Sequence, residues 1–278
     1  DTALIAFVDD DVDVGVDPAI DHWLEPLIGH FDDPAVGLVA PRVGGDPTSS
    51  LDLGDGPARI RSGSRVSYVP AAAIVVRADA FDEVGGFDET LRFGEDVDFV
   101  WRLAQAGWRC RYEPASVVDH RPRSTLTGRL RQQIGYGSAA APLSLRHPGH
   151  LAPWRGDAPL AALAVAVAAG FPRAVLAVFA AQVLRLARRV DTLSTSDAVA
   201  LTALADADAL VQLARAVRRT WWPIGLALAV PSRRARRALA VSFLMSPRSL
   251  VTDLAYGWGV WSGMRRVRTL RPRLPRIG

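Results

Sequence analysis

The sequence contains no lysine, so arginine carries all of its basic charge, and it contains a single cysteine. Because Cys110 has no second cysteine to pair with, an intramolecular disulfide is excluded, which suits a reducing compartment. Residue 1 is Asp, and no signal-peptide pattern precedes the first apolar run. We therefore expect the protein in the cytoplasm or at the cytoplasmic face of the inner membrane. We interpret the abrupt start within a strand as the loss of an upstream segment.

A long uninterrupted apolar run is also lacking. The most apolar stretch, residues 158–184, is divided by Arg173. A membrane-spanning helix needs about 20 apolar residues, and an arginine near its centre costs about 2.5–3.5 kcal/mol on insertion scales. We therefore expect helices that are buried or lie in a membrane interface, and not a single clean span.

The two halves of the chain differ in charge. Residues 1–119 hold 23 acidic residues and 9 arginines, a net charge of −14, whereas residues 120–278 hold 6 and 24, a net charge of +18. The acidic half suits cations, and the basic, apolar half suits an anionic membrane surface. An ordinary helical domain with a solvated arginine face is the alternative. No recognition motif accompanies the arginines, so we expect no nucleic-acid partner.

Apolar runs alternate with turn residues up to about residue 120. The patterns predict strands at 3–8, 36–41, 108–112 and 116–119, and helices at 17–30, 78–84 and 96–106. Residues 68–77 are apolar and β-compatible, and residues 44–64, rich in Gly, Pro, Ser and Asp, are predicted to form a loop. Such alternation argues for an α/β domain. After about residue 158 the chain is apolar, arginine-rich and helical in pattern. We place an α/β domain at residues 1–150 and an all-α region at residues 151–278.

Acidic side chains cluster directly after the first predicted strand, in "FVDDDV". Adjacent like charges repel unless water, a cation or hydrogen bonds offset them. Asp9, Asp10 and Asp11 therefore form either a solvated turn, which Asp favours, or a cation site. This stretch alone leaves both interpretations open.

A second acidic pair, Glu95-Asp96, precedes a predicted helix, and His120 ends a predicted strand beside Asp119. Carboxylates at a helix N-terminus are favoured by the helix dipole, so capping explains the pair without any function. A lone histidine is more often structural than a ligand. Within the helix, Asp98 and Arg102 lie four residues apart and are expected to pair.

Taken in order, these stretches resemble the family 2 glycosyltransferases of the GT-A fold. The resemblance covers residues 1–137 and rests on "FVDDDV", "VPAAAIVVRADAFDEVGGFDE" and "GEDVDFVWRLAQAGWRCRYEPASVVDH". Further on, "QIGYGSAAAPLSLRHPG" is similar to the narrower group of mycofactocin-biosynthesis glycosyltransferases. The resemblance implies an N-terminally truncated GT-A-like α/β domain, without its nucleotide-binding half, followed by an all-α region. The Gln-x-x-Arg-Trp motif of processive members is missing, which argues against a polymer synthase.

The resemblance also implies a reaction: metal-dependent, inverting transfer of a hexose, with glucose as the best guess, from a UDP-sugar to a hydroxyl group. The acceptor would be a small, peptide-derived or oligosaccharide molecule. A divalent cation, Mn²⁺ or Mg²⁺, stabilises the leaving diphosphate, and a carboxylate takes the acceptor's proton. The implied roles are the metal ligands Asp9, Asp11 and His120, the donor contact Asp10, the general base Asp96 and its neighbour Glu95.

The acceptor side is less defined. Asp88 and Glu89 are candidates for the acceptor cleft, although a solvated turn explains them equally well. Trp101, Trp108 and Tyr136 could stack on sugar faces, but aromatic residues at such positions more often belong to the core. Two rival functions stay open: a non-catalytic, membrane-peripheral or scaffold remnant of a glycosyltransferase, and a metal-dependent phosphatase or phosphotransferase.

Overall fold

A computed structural model describes residues 3–14, 23–44, 51–120, 125–245 and 249–277. The chain divides into two compact units. The first comprises Asp1–Arg129 and Arg146–Leu151, and the second comprises Leu130–Leu145 and Ala152–Gly278. The helix start predicted at Asp17-Pro18 lies outside the described residues.

A mixed β-sheet forms the centre of the first unit. Its described strands are β1 (Leu4–Val8), β2 (Val12–Asp13), β3 (Val36–Gly44), β4 (Ala58–Ile60), β5 (Ala73–Arg77) and β6 (Arg109–His120). The strand order is β1-β5-β3-β6-β2, and β4 also pairs with β6. β3 and β6 run parallel, whereas the other pairings are antiparallel.

Among the described residues, three α-helices accompany this sheet: α1 (Glu25–Ile28), α2 (Ala78–Glu83) and α3 (Glu95–Gln105). Both faces of the central strands are buried, which explains why β3 and β5 are almost continuously apolar. Phe7 of β1 packs against the rings of Phe81 and Phe87, and Phe87 in turn packs against Phe99 of α3. This aromatic cluster fixes the end of β1 relative to α2 and α3.

The sheet differs from the sequence-based prediction in three places. The strands predicted at 108–112 and 116–119 are one bent strand, β6, whose pairing with β3 shifts register between Pro41 and Arg42. The two-residue strand β2 was not predicted, because two residues carry no periodic signal. These two differences concern the part of the sheet nearest the acidic cluster. The third is β4, which lies within residues 44–64, predicted as a loop from their Gly, Pro, Ser and Asp content, and which forms by pairing with β6.

The second unit is mainly helical. Its helices are α4 (Leu126–Arg146, of which residues 130–145 belong here), α5 (Ala158–Ala169), α6 (Pro172–Arg189), α7 (Thr195–Ala216), α8 (Trp222–Ala229), α9 (Arg233–Leu244) and α10 (Leu250–Val267). A π-helical segment, Val217–Trp221, joins α7 to α8, and two short strands, β7 (Arg155–Gly156) and β8 (Arg276–Ile277), pair in parallel. The expected fold class, an α/β domain followed by an all-α region, is confirmed. None of the helices among the described residues has the length and apolarity needed to cross a membrane.

Candidate active site

The three adjacent aspartates form the turn between β1 and β2. The Asp9 N–H donates to Ala72 O at 2.9 Å, and the Val12 N–H donates back to Asp9 O at 3.1 Å, which closes the turn. The pKa of Asp9 is raised by partial burial of its carboxyl group and by the charges of Asp11 and Asp10, while His120 offsets part of this effect. The turn therefore concentrates negative charge directly after β1.

The pairing of β2 with β6 brings His120 to this acidic turn. Val12 lies opposite His120 and Asp13 lies opposite Asp119 in antiparallel register. His120 Nε2 is 3.5 Å from Asp11 Oδ2, and the His120 side chain is only 13% exposed. The turn and the cation site were posed as alternatives, but the backbone forms a turn and also places an imidazole beside its carboxylates.

Glu95 and Asp96 begin helix α3. Gly94 precedes them with φ +80°, a left-handed conformation that glycine adopts without strain. Burial and, more weakly, the charge of Asp9 raise the pKa of Glu95, and no described group hydrogen-bonds its buried Oε2 atom. Burial also raises the pKa of Asp96 to about 6, although its Oδ1 accepts the Val97 N–H at 2.7 Å. Capping alone does not explain a helix start that leaves the buried Glu95 Oε2 without a donor among the described residues.

The segment before β5 connects the two acidic groups. Ala72 O accepts the Asp9 N–H, and the backbone of the preceding residue, Ala71, forms a hydrogen bond to the Asp96 carboxylate. Together with the electrostatic effect of Asp9 on Glu95, this places the acidic turn, His120 and the Glu95-Asp96 pair in one region of the first unit.

The predicted acceptor-side residues have different environments. Asp88 accepts hydrogen bonds from Thr90 and Arg146, which lower its pKa to about 2, whereas Glu89 is exposed. Trp101 is 2% exposed and donates its indole N–H to Ser67 O, so its position supports the core interpretation. Trp108 packs on Gly37 and donates to Glu83.

Tyr136 lies in the second unit, where its hydroxyl accepts a hydrogen bond from Gln132.

Sequence reasoning missed a buried ionic network behind α3. Asp98 is 1% exposed and accepts hydrogen bonds from His147 Nε2 at 2.8 Å and Arg102 Nε at 2.7 Å. Arg102 also donates to the carbonyl oxygens of Val84 and Gly86, which secures the turn before Asp88. The pairing of Asp98 with Arg102 was predicted from their spacing and is confirmed. His147 carried no local signal, because its partner is 49 residues away.

The chemistry of the donor groups suits a hard divalent cation, since carboxylate oxygens and an imidazole nitrogen are common ligands of Mn²⁺. Within the described residues, however, no group of three or more His, Cys, Asp or Glu side chains is arranged to hold a metal ion. Of the predicted ligands, Asp11 and His120 are the two for which the structure gives a close distance. The set of Asp9, Asp11 and His120 therefore stays a prediction.

Comparison with known proteins identifies several relatives. The chain is 38% identical over 284 residues to the pre-mycofactocin glycosyltransferase of Mycobacterium tuberculosis strain H37Rv, a match covering 86% of this chain and 60% of that protein. Over 62 residues it is 44% identical to the N-acetylglucosaminyl-diphospho-decaprenol L-rhamnosyltransferase of the same strain, covering 22% and 20% of the two chains. A mannosyltransferase from Pyrobaculum calidifontis, solved with GDP-Man and Mn²⁺, has a TM-score of 0.41 and 18% identity, covering 94% of this chain and 63% of its own.

A family model gives the broadest assignment. The model described as glycosyl transferase family group 2 matches residues 35–252. This range contains Glu95, Asp96 and His120, and the acidic turn lies before it. The chain spans about 60% of the length of the pre-mycofactocin glycosyltransferase that it matches. Because the family model covers more than half of the sequence, the chain belongs to glycosyl transferase family group 2.

Proposed function

We propose that this chain carries the catalytic carboxylates of an inverting glycosyltransferase, which moves a hexose from a UDP-sugar to an acceptor hydroxyl. The observation that carries the proposal is the convergence of the acidic turn, His120 and the Glu95-Asp96 pair in one region of an α/β unit. Family membership favours this function over the phosphatase or phosphotransferase that the acidic cluster also allowed. Glucose is the sugar that we expect, because the narrower sequence resemblance favours it.

Asp96 is the proposed general base. A base works best when its pKa lies near the operating pH, and the pKa of about 6 leaves Asp96 ionised at neutral pH but more basic than an ordinary aspartate. The carboxylate accepts the proton of the acceptor hydroxyl as that oxygen attacks the anomeric carbon. With a single base and no separate nucleophile, the displacement is one in-line step with inversion.

Glu95 is proposed to contact the acceptor. Its Oε2 atom is buried and has no hydrogen-bond donor among the described residues, and an unmet acceptor of this kind is costly unless a ligand completes it. A sugar or acceptor hydroxyl would donate to this oxygen and position the nucleophile next to Asp96. Asp10, in the same turn as the predicted metal ligands, is proposed to contact the ribose or the sugar of the donor.

Asp11 and His120, together with Asp9, would hold a divalent cation. When bound, such a cation would neutralise the charge that develops on the leaving diphosphate. The acidic turn itself does the opposite, because it repels the diphosphate. The proposal therefore requires that UDP binds poorly to the protein until the cation is added.

The acceptor is proposed to be a peptide-derived redox cofactor of the mycofactocin type, or its already glycosylated form. The 38% identity with the pre-mycofactocin glycosyltransferase of Mycobacterium tuberculosis supports this proposal. The opposing possibility, a remnant that has lost catalysis but keeps a structural role, makes a different prediction, since it binds no UDP even when Mn²⁺ is present.

The test measures UDP release by the full-length protein from a panel of UDP-sugars, with Mn²⁺ and with chelator. We expect cation-dependent release that Asp96→Asn abolishes and that Asp79→Asn, the same change at an exposed helix position, leaves intact. Calorimetric titration with UDP runs in parallel. Folded protein that neither releases nor binds UDP in the presence of Mn²⁺ would contradict the proposal, as would wild-type turnover by Asp96→Asn.

A further inference from the structure

An open cavity of about 670 Å³ lies between α5, α6 and α7 in the second unit. Its volume falls in the range of about 300–1,000 Å³ that is usual for small-molecule sites. The walls are aliphatic and aromatic, and they include Leu163, Val167, Phe171, Leu176, Phe179 and Leu210. One ionisable side chain, Asp206, lies among the lining residues. We call this cavity the helical groove.

The helical groove exposes large apolar side chains to solvent. Leu176 is 67% exposed, Phe171 is 50% exposed and Val167 is 45% exposed, whereas Leu163 behind them is 3% exposed. Contiguous exposed apolar surface of this kind marks a binding site more often than it marks ordinary protein surface. The lining residues of α6 run from Pro172 to Phe179, a length of about 10 Å along the helix axis. An alkyl chain suits a groove of this length and polarity.

Two arginines lie at one end of the groove. The Arg234 guanidinium carbon is 5.1 Å from the centre of the Phe171 ring, and the exposed Arg173 follows the lining residue Pro172. Neither arginine makes an ion pair with any carboxylate in the described part of the chain. An anionic group at this end would therefore gain two positive partners and displace none.

The carboxylate of Asp206 fixes the orientation of such a ligand. Asp206 is 7% exposed, and its Oδ2 accepts the Gln182 side-chain N–H at 3.0 Å, a hydrogen bond that favours the ionised carboxylate and offsets part of the rise in pKa that burial causes. A second negative charge beside a buried carboxylate is disfavoured. An anionic head group is thus excluded from the part of the groove near Asp206 and directed to Arg173 and Arg234, while the apolar chain lies along α6.

We propose that the helical groove binds an acyl chain of an anionic phospholipid at a membrane surface, with the lipid phosphate at Arg173 and Arg234. The net charge of +18 on residues 120–278 attracts the same surface over a longer range. This proposal is independent of the proposed sugar transfer, because the residues that line the groove and its two arginines lie in the second unit and none of them belongs to the candidate active site.

The first test measures flotation of the full-length protein with vesicles of phosphatidylcholine, alone or mixed with phosphatidylglycerol. We expect binding only to the anionic vesicles. Removing two arginines near the surface by the double change Arg173→Gln and Arg234→Gln should weaken binding about 30-fold. The matched double change Arg233→Gln and Arg237→Gln removes the same charge at exposed positions of α9 and should weaken it less. Equal losses in the two variants would show general charge attraction and would overturn the site.

The second test fills the groove. Ala203 lines it and is exposed, so Ala203→Trp should occupy the space of the acyl chain, whereas Ala205→Trp makes the same change at an exposed position of α7 outside the lining. Phosphatidylglycerol with a photoactivatable group on its acyl chain should crosslink to α5–α7 in the wild type and in Ala205→Trp, but not in Ala203→Trp. Circular dichroism checks that each variant is folded, and Leu176→Gln provides a second variant that weakens the groove without filling it.

Three outcomes would overturn the proposal. The first is undiminished crosslinking in both Ala203→Trp and Leu176→Gln. The second is binding of soluble lysophosphatidylglycerol without any binding to vesicles, which would assign the groove to a free amphiphile. The third is a concentration-dependent dimer that Ala203→Trp disrupts, which would assign the groove to a second copy of this chain.

Discussion

Asp96 shows most directly how the proposed chemistry conflicts with stability. Burial is the main cause that raises the pKa of its carboxyl group from 3.8 to about 6. In the unfolded chain the same group ionises freely, so the folded state loses free energy whenever the pH is high enough to ionise it. Such a cost is expected at a group that acts as a base and is unexpected at a group that only caps a helix.

The first prediction concerns the stability of Asp96→Asn. Because the folded pKa exceeds the unfolded one, the cost is absent below pH about 4, grows as the pH rises toward 6, and is constant above it. Two pKa units correspond to about 3 kcal/mol. Urea unfolding at pH 8 should therefore show Asp96→Asn to be more stable than wild type by up to about 3 kcal/mol, with no gain near pH 4. A variant that is less stable at pH 8 would indicate a structural role for the carboxylate.

The second prediction concerns the pH dependence of turnover. A base must be ionised, so kcat/KM for UDP release should fall tenfold per pH unit below about 6 and level off above it. Asp79→Asn should leave this pH dependence of kcat/KM unchanged. If kcat/KM does not change between pH 5 and 7, the base is a group other than Asp96.

At the level of elements, α4 and α10 approach each other so closely that glycine is required. A Cβ atom on Gly259 would collide with Ile134 O, one on Gly137 would collide with Tyr256 O, and one on Gly263 would collide with Ser138 O. Val260 and Met264 are buried in the same interface. The two helices thus pack backbone to backbone over two turns.

The third prediction follows from this contact. Gly259→Ala should destabilise the protein by about 1–3 kcal/mol or more, because the backbone of α4 must move to admit the methyl group. Gly29→Ala is the matched control: nothing lies within 4 Å of its Cβ position, and its φ of −58° suits alanine, so a gain of about 0.4–1 kcal/mol is expected. Thermal melts of both variants measure the difference. Equal melting temperatures would show that the interface adjusts without cost.

Individual strands and helices also show how much of the fold can be predicted from the sequence. β1, β3, α2 and α3 each have a local periodic or capping signal, and the structure confirms them. β2 and His147 do not, because β2 depends on pairing with β6 and His147 depends on a buried carboxylate 49 residues away. The acidic turn was visible in the sequence, but its contact with His120 depends on the pairing of β2 with β6 and was expected only from the family resemblance.

At the level of the whole molecule, each unit contains its own buried ionic network. In the first unit Asp98 binds His147 and Arg102. Burial alone would raise the pKa of Asp98, but these hydrogen bonds outweigh it, so the pKa lies below its usual value. In the second unit Asp253 is completely buried and binds Arg218 at 2.9 Å and Arg219 at 2.6 Å. Arg218 is itself 1% exposed.

The fourth prediction uses these two networks to test whether the units unfold separately. Removing one member of a buried ion pair typically costs about 3–5 kcal/mol, because the partner charge stays buried without compensation. Asp253→Ala leaves the charge of Arg218 buried without its carboxylate partner. Asp98→Ala leaves Arg102 and His147 without their shared acceptor. Since each network lies within one unit, each loss should fall on one part of the molecule.

Hydrogen exchange followed by mass spectrometry locates the loss. Asp253→Ala should speed exchange in α8, α9 and α10 while β3 and β5 keep wild-type protection, and Asp98→Ala should give the reverse pattern. Asp208→Ala, at an exposed position of α7, controls for the loss of a charge alone and should change neither pattern. If Asp253→Ala speeds exchange in β3 and β5 as much as in α10, the two units unfold together, and the sheet that carries the candidate active site depends on the helical unit for its stability.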